Sequence, residues 1–247
     1  MYHHKINKIK KKSRKRVIIW IISLFVLAMI IYVLFFSPIF KIKEIIIFGN
    51  RKVSAEEIKN NLVCENIILT NNKNIRNQLL KKNLAILELK IRKNLFKRKL
   101  EINIEEREEI GIVCSVDRCF YFDKEGIVFQ KAPITSGSLI TIVQDYSNRN
   151  YELGNKIADK SFIDIILEIT KDLFSEIGLK ILSFNISSYP IKELKAITSE
   201  GWYVLFNLER NINNQLLLLK VGLKEKIKNR TNLHYVDLRI ENRIYYK

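Results

Sequence analysis

The sequence predicts an α+β protein: a single N-terminal membrane helix, a small module of β-α-(β)-α-β-β order, and a mixed β domain carrying two helices. Three observations lead there. Val17 to Phe36 is an uncharged apolar run of twenty residues behind a basic arm. The hydrophobic period changes from 3.6 to 2 within the segment 54–106, so two helices give way to two half-buried strands. Beyond Ile110, short strand-like segments with turn residues between them are interrupted by two long amphipathic helices.

The basic arm, residues 1–16, holds Lys5, Lys8, Lys10, Lys11, Lys12, Arg14, Lys15 and Arg16 and no acid. Cations beside a first membrane segment stay on the cytoplasmic side, and only Lys41 and Lys43 lie close on the far flank, so the N-terminus is expected inside and the remainder outside. A helix rises about 1.5 Å per residue, so residues 17–36 match a hydrocarbon core of about 30 Å. The exit Phe35-Phe36-Ser37-Pro38 is not a small-x-small cleavage site, which favours an uncleaved anchor in the lipid bilayer. The net charge of +17 is largely explained by this arm: it carries eight of those charges, leaving +9 for the rest of the chain. That excess is interspersed with acids and shows no nucleic-acid signature, so nucleic acid is not an expected partner.

Residues 37–107 are expected to form the first extracytoplasmic domain. Lys41 to Phe48 is a short apolar strand ended by Gly49-Asn50, a pair suited to positive φ. Ser54 and Glu57 have capping-box spacing, and Ala55, Ile58 and Leu62 share one helical face. Ile67 to Leu69 is a candidate short strand, and a second helix over about 74–82 carries Ile75 and Leu79. Residues 85–92 and 99–106 then alternate: Leu87, Leu89 and Ile91 oppose Glu88, Lys90 and Arg92, and Leu100, Ile102 and Ile104 oppose Glu101, Asn103 and Glu105.

Residues 108–247 make the second domain. Strands are expected over 111–116, 119–123, 127–130, 138–143, 181–187, 193–198 and 202–208, with one helix over 161–178 and another over 214–227. Residues 235–246 read as one long strand. Val236, Leu238, Ile240 and Ile244 lie on its core face, and Tyr235, Asp237, Arg239, Arg243 and Tyr245 form an outward set suited to binding a partner at a sheet edge. Of three cysteines, Cys114 and Cys119 flank a four-residue hairpin turn and are the expected disulfide, leaving Cys64 free.

Catalysis finds no support in the residues. Two of the three histidines, His3 and His4, lie on the basic arm, and His234 has a strand-start setting. There is no glycine-rich phosphate loop, His-x-x-x-His pair or Cys-x-x-Cys spacing, so no metal, cofactor or small-molecule substrate is expected. The acids Glu105, Glu106, Glu108 and Glu109 read as a solvated strand face around Arg107.

A set of dispersed motifs resembles the FtsQ/DivIB cell-division family. Ile45, Ile47, Gly49, Asn50, Val53, Ser54 and Ile58 match the start of its POTRA domain, and Glu106-Arg107 matches its Glu-Arg junction, although the proline often found two residues later is Glu109 here. Asp123, Gly126 and Phe129 match an Asp-x-x-Gly-x-x-Phe signature, and Asp237-Leu238-Arg239 resembles the family's Asp-Leu-Arg ending. The resemblance implies a bitopic, non-enzymatic scaffold of the divisome at the septum, which recruits or regulates partners and so septal peptidoglycan synthesis. Those partners would be FtsB/DivIC-like and FtsL-like proteins, held largely by the C-terminal strands. Two alternative readings have less behind them. A POTRA-bearing transport or assembly factor of the outer membrane would need a β-barrel, which about 140 residues with two strong helices do not supply, and a membrane-tethered wall enzyme would need a catalytic constellation.

Overall fold

A computed structural model describes residues 3–62, 66–227 and 229–247, with side chains from residue 16 onward. Cys64, expected to be a free thiol, lies outside the described residues. The chain divides into two compact units, 1–106 and 107–247.

In the first unit, helix α1 (His3–Phe36) runs without a break from the basic arm into the apolar segment. Lysine and arginine are good helix formers, so the arm propagates the helix. Residues 16–36 are long and apolar enough to cross a membrane, with none of that window buried against protein. Ser37 then caps a 3₁₀ turn, Pro38–Phe40, its hydroxyl accepting from the Ile39 amide at 3.2 Å. There follow β1 (Glu44–Phe48), α2 (Ala55–Asn60), α3 (Asn72–Lys82), β2 (Ile86–Asn94) and β3 (Lys99–Glu106), the strands ordered β1-β3-β2. The β1–β3 pair is parallel and the β2–β3 pair antiparallel. Ile58 from α2 and Ile75 and Leu79 from α3 close over Ile86, Leu89, Leu100, Ile102 and Ile104, making one core between two helices and one sheet face.

Two local expectations are corrected here. Ile67 to Leu69 is a turn rather than a strand, because the Asn66 side-chain oxygen takes the amides of Ile68 (2.9 Å) and Leu69 (3.4 Å) and competes with sheet pairing. Ser54 precedes α2 but makes no side-chain cap bond. The chain leading into the helix is held by the Glu106 carboxylate, which accepts from the amides of Arg51, Lys52 and Val53 at 2.8, 3.0 and 2.9 Å.

The second unit holds β4 (Gly111–Ser115), β5 (Arg118–Phe122), β6 (Val128–Ala132), β7 (Thr141–Asp145), α4 (Lys160–Ile177), β8 (Ile181–Ile186), β9 (Glu193–Thr198), β10 (Tyr203–Asn207), α5 (Ile212–Glu225), β11 (Tyr235–Asp237) and β12 (Tyr245–Tyr246). They form one sheet in the order β12-β11-β10-β9-β8-β7-β4-β5-β6. Parallel neighbours require a crossover. Accordingly α4 links the parallel pair β7–β8, and α5 links the parallel pair β10–β11. Both helices turn their apolar stripes, Phe162, Ile166, Ile169 and Leu173 from α4 and Leu216, Leu219 and Leu223 from α5, into a single core with Phe122, Val143, Phe184, Trp202, Val204, Phe206 and Val236. Gly178 ends α4 at φ 70°, a left-handed cap that leaves its amide for the last carbonyls.

The long terminal strand read over residues 235–246 is also corrected. Pairing with β10 ends at the Leu238 amide on Leu205 O at 2.9 Å, because the backbone N–H and C=O of Asn207, the last residue of β10, are taken by the Gln215 side chain at 2.9 and 2.8 Å. The chain then reverses through residues 240–243, with Asn242 at φ 55° and the Arg243 amide on Ile240 O at 3.3 Å, and returns as β12 against β11. Charged turn residues here mimic the alternation of a strand.

Candidate partner interface

The sheet of the second unit ends on β12, and this end carries the residues singled out from the sequence. Register partners share a face of the sheet, and β11 pairs Tyr235 with Tyr203 on β10, while β12 pairs Tyr245 with Asp237. Tyr203, Tyr235, Asp237 and Tyr245 therefore stand on the face away from the helices, where β11 alternates half-buried, buried, half-buried. Tyr203 and Tyr235 stack with centroids 5.7 Å apart at 20°, and the Lys195 ammonium sits 3.8 Å over the Tyr203 ring. Such a column gives a rigid, amphipathic surface of the kind enriched at protein interfaces.

The outward set separates into two groups. Arg239 is occupied within the domain: Nε and Nη2 grip Asp237 at 2.9 and 2.7 Å, and Nη1 reaches Glu193 on β9 at 2.8 Å. The hydrogen bonds from Arg239, against some desolvation, hold the Asp237 carboxyl below its usual range. The same fork raises the Arg239 guanidinium further. This ion network ties β11 to β9 across β10, so Arg239 positions the edge. Arg243, Tyr245 and Tyr246 are exposed, and Arg243 Nη1 donates to Tyr245 Oη at 3.3 Å.

The presumed core set also splits. Val236 and Leu238 are buried, but Ile240 is 50% exposed, and Ile244 packs against α5 at Gly222, where an added Cβ would lie 2.4 Å from Ile244 Cδ1. Ile240 instead walls a groove of about 480 Å³ with Leu217, Leu218 and Val221 of α5, its rim held by an Arg210–Glu241 pair at 3.8 Å. Sequence reasoning missed this groove, because Leu217 and Val221 belong to a helix whose remaining leucines are core.

The other singled-out residues are structural. Ile45 and Ile47 pack on the first core, Val53 and Ile58 lie within it, and Asn50 Nδ2 holds Val53 O at 3.2 Å. Gly49 has φ 81°, and a Cβ there would stand 2.2 Å from Ile104 O, so no other residue fits. Cys114 and Cys119 are direct partners across β4 and β5 and are joined by a disulfide. Asp123 of the Asp-x-x-Gly-x-x-Phe stretch accepts from the amides of Glu125 and Ile127, both at 2.9 Å, and pairs with Arg107, which fixes the turn that Gly126 makes at φ 74°. A second polar network was not anticipated: buried Asp145 accepts from Ser147, Arg149 and Tyr151. Burial opposes its charge, yet these donors hold its carboxyl below the usual range. Its members fall at every second position, Asp145, Ser147, Arg149 and Tyr151, but the intervening Tyr146, Asn148 and Asn150 are polar too, so no alternation marks the network in the sequence. Among the described residues no group of three or more His, Cys, Asp or Glu is placed to hold a metal.

Comparison with known proteins adds independent weight. Residues 40–107 match the family described as POTRA domain, FtsQ-type. Over 97% of the chain and 94% of the relative, the sequence is 28% identical to Cell division protein DivIB of Clostridium botulinum strain Loch Maree. The same identity and coverage hold for Cell division protein DivIB of Clostridium botulinum strain Hall.

Proposed function

Starting from the finding that the chain belongs to the FtsQ/DivIB family, we propose that it is a cell-division protein that works without catalysis, as a membrane-anchored scaffold for other division proteins. In this reading α1 spans the bilayer once with the basic arm in the cytoplasm, and the rest of the first unit and all of the second lie outside at the division site. A reporter fused beyond the second unit is then active only if it folds outside the cytoplasm. Activity of a cytoplasm-dependent reporter there overturns the topology.

The observation that carries the scaffold reading is the sheet end itself. A nine-stranded sheet stops at the two-residue strand Tyr245–Tyr246, which is exposed together with Arg243 beside a tyrosine column. Unpaired backbone at an edge accepts another chain's strand, and aromatic and arginine side chains supply specificity. The partners are small single-span proteins of the FtsB/DivIC and FtsL kind, and their capture regulates septal peptidoglycan synthesis. The test is co-purification from native membranes of full-length chain carrying Tyr235→Ala, Arg243→Ala or Tyr245→Ala, with septum formation scored in parallel. Each truncation is expected to weaken partner capture by roughly thirtyfold, the equivalent of about 2 kcal/mol at an interface anchor. Unchanged capture and division by the folded variants would remove this edge as the interface.

A further inference from the structure

The β2–β3 hairpin of the first unit turns through Leu95-Phe96-Lys97-Arg98. Turns favour Gly, Asn, Asp and Pro, so a Leu-Phe pair at the tip is unusual, and Phe96 is wholly exposed at 101%. Nothing in hairpin geometry requires it. The tip is tied to the segment that follows α1: Arg98 Nη1 donates to Pro38 O at 3.3 Å, and the Lys43 amide donates to Arg98 O at 2.9 Å. A second apolar projection, Ile68-Leu69, is tied to the same place. There Asn66 Nδ2 donates to Leu34 O at 2.9 Å, and the Ile67 amide donates to Phe40 O at 2.8 Å. Ile39 lies between these attachments and is itself exposed. Lys41, Lys43, Lys97 and Arg98 accompany the apolar groups within the same short segments.

We propose that this tip is a second membrane contact: Leu95 and Phe96, supported by Ile39, Ile68 and Leu69, insert into the headgroup layer of the outer leaflet while the surrounding cations bind anionic phospholipid. The occupant follows from position. Hydrogen bonds place both projections at residues 34–40, where α1 leaves the apolar segment, so a bilayer crossed by α1 meets them first. Apolar groups ringed by lysine and arginine are the composition of an interfacial anchor, the side chains keeping their charged ends among the headgroups. The contact would fix the tilt of the three-stranded module on the membrane, a job a single helix followed by an exposed turn cannot do alone.

The inference rests on the membrane-spanning reading of α1, and one experiment separates the two. Full-length chain with Cys64→Ser and an intact Cys114–Cys119 bridge is reconstituted in phosphatidylcholine–phosphatidylglycerol nanodiscs, with a nitroxide at Lys97→Cys, at Val26→Cys as the bilayer reference, or at Glu168→Cys as the water reference. Position 97 should collide with a water-soluble nickel chelate several-fold less often than position 168. Adding Leu95→Ser with Phe96→Ser should return it to the value at 168 while circular dichroism shows an unchanged fold. Omitting phosphatidylglycerol should give a smaller return in the same direction. If 26 reads lipid while 97 reads water, the second contact is refuted and the anchor stands. If 26 also reads water, the anchor reading fails and the inference falls with it. Equal protection of 97 with and without phosphatidylglycerol would refute the anionic component.

Discussion

Removing the Glu106 carboxylate should loosen the entry to α2 by about 2 kcal/mol. The magnitude follows from what the carboxylate holds. It accepts from three consecutive amides, Arg51, Lys52 and Val53. Arg51 and Lys52 are exposed, so water replaces their lost acceptor at little cost. Val53 is 7% exposed, and a buried amide left without an acceptor costs about 1–3 kcal/mol. Glu106→Ala should therefore raise the exchange rate of the Val53 amide about thirtyfold, since 1.4 kcal/mol is a factor of ten. Hydrogen–deuterium exchange on the full-length chain reads this directly. The contribution also carries a pH signature. Burial alone would raise this carboxyl, but the three amides pull it below its usual range. A group with a lowered folded pKa stabilises fully above its unfolded value, near 4.3, and loses that contribution as pH falls through the folded one. The difference between wild type and Glu106→Ala should thus be constant near neutrality and vanish in acid, and Glu106→Gln should show no such acid loss of its own. Equal Val53 exchange in wild type and Glu106→Ala at pH 7 would refute the reasoning.

Further expectations concern the second unit. In protein from its native compartment, non-reducing mass spectrometry should find Cys114 bonded to Cys119, and reduction should cost about 2 kcal/mol of stability because the closed loop is short. Val116, in the turn between these cysteines, has φ 55° with 82% of its surface exposed, a backbone that is strained for a β-branched residue. Val116→Asn should stabilise the oxidised domain by about 1 kcal/mol in urea titration, and an unchanged midpoint would show the strain to be absent. Gly222→Ala places a Cβ against Ile244, so it should release residues 240–246 while leaving the core melting transition nearly intact. Proteolysis confined to that segment is the expected readout, and protection equal to wild type would count against it.

How much of this was legible in the sequence depended on whether a residue's partner was local. Ile75 and Leu79, the α4 stripe and the alternation in β2 and β3 all follow periodicities that the chain itself carries, and they fold accordingly. Ser54 and Glu57 have the right spacing for a cap, but Ser54 makes no side-chain cap bond, and the amides that lead into the helix are held by Glu106, 52 positions onward from Ser54, a partner from β3 that no local pattern announces. The end of the chain failed for a related reason. Alternation from Tyr235 to Tyr246 is a property of the sequence, whereas strand length is set by the neighbour, and Gln215 of α5 occupies the Asn207 backbone groups that would have continued the β10 ladder beyond Leu205 O. Arg239 reads from its spacing as an outward binding residue, yet its engagement with Glu193 depends on sheet order, which spacing does not encode.

The parallel pairing of β1 with β3 bears on how the first unit carries load. Tension on α1 enters β1 at Glu44, whereas tension from the second unit enters β3 at Glu106, and the two strands run in the same direction, Glu44 beside Lys99 and Phe48 beside Asn103. Pulling from those two points drives the strands past each other along their length. Their ladder bonds must then yield together, where the antiparallel β2–β3 hairpin, pulled from its open end, would unzip rung by rung. The three-stranded module is thus wired as a shear joint between α1 and everything attached beyond residue 106.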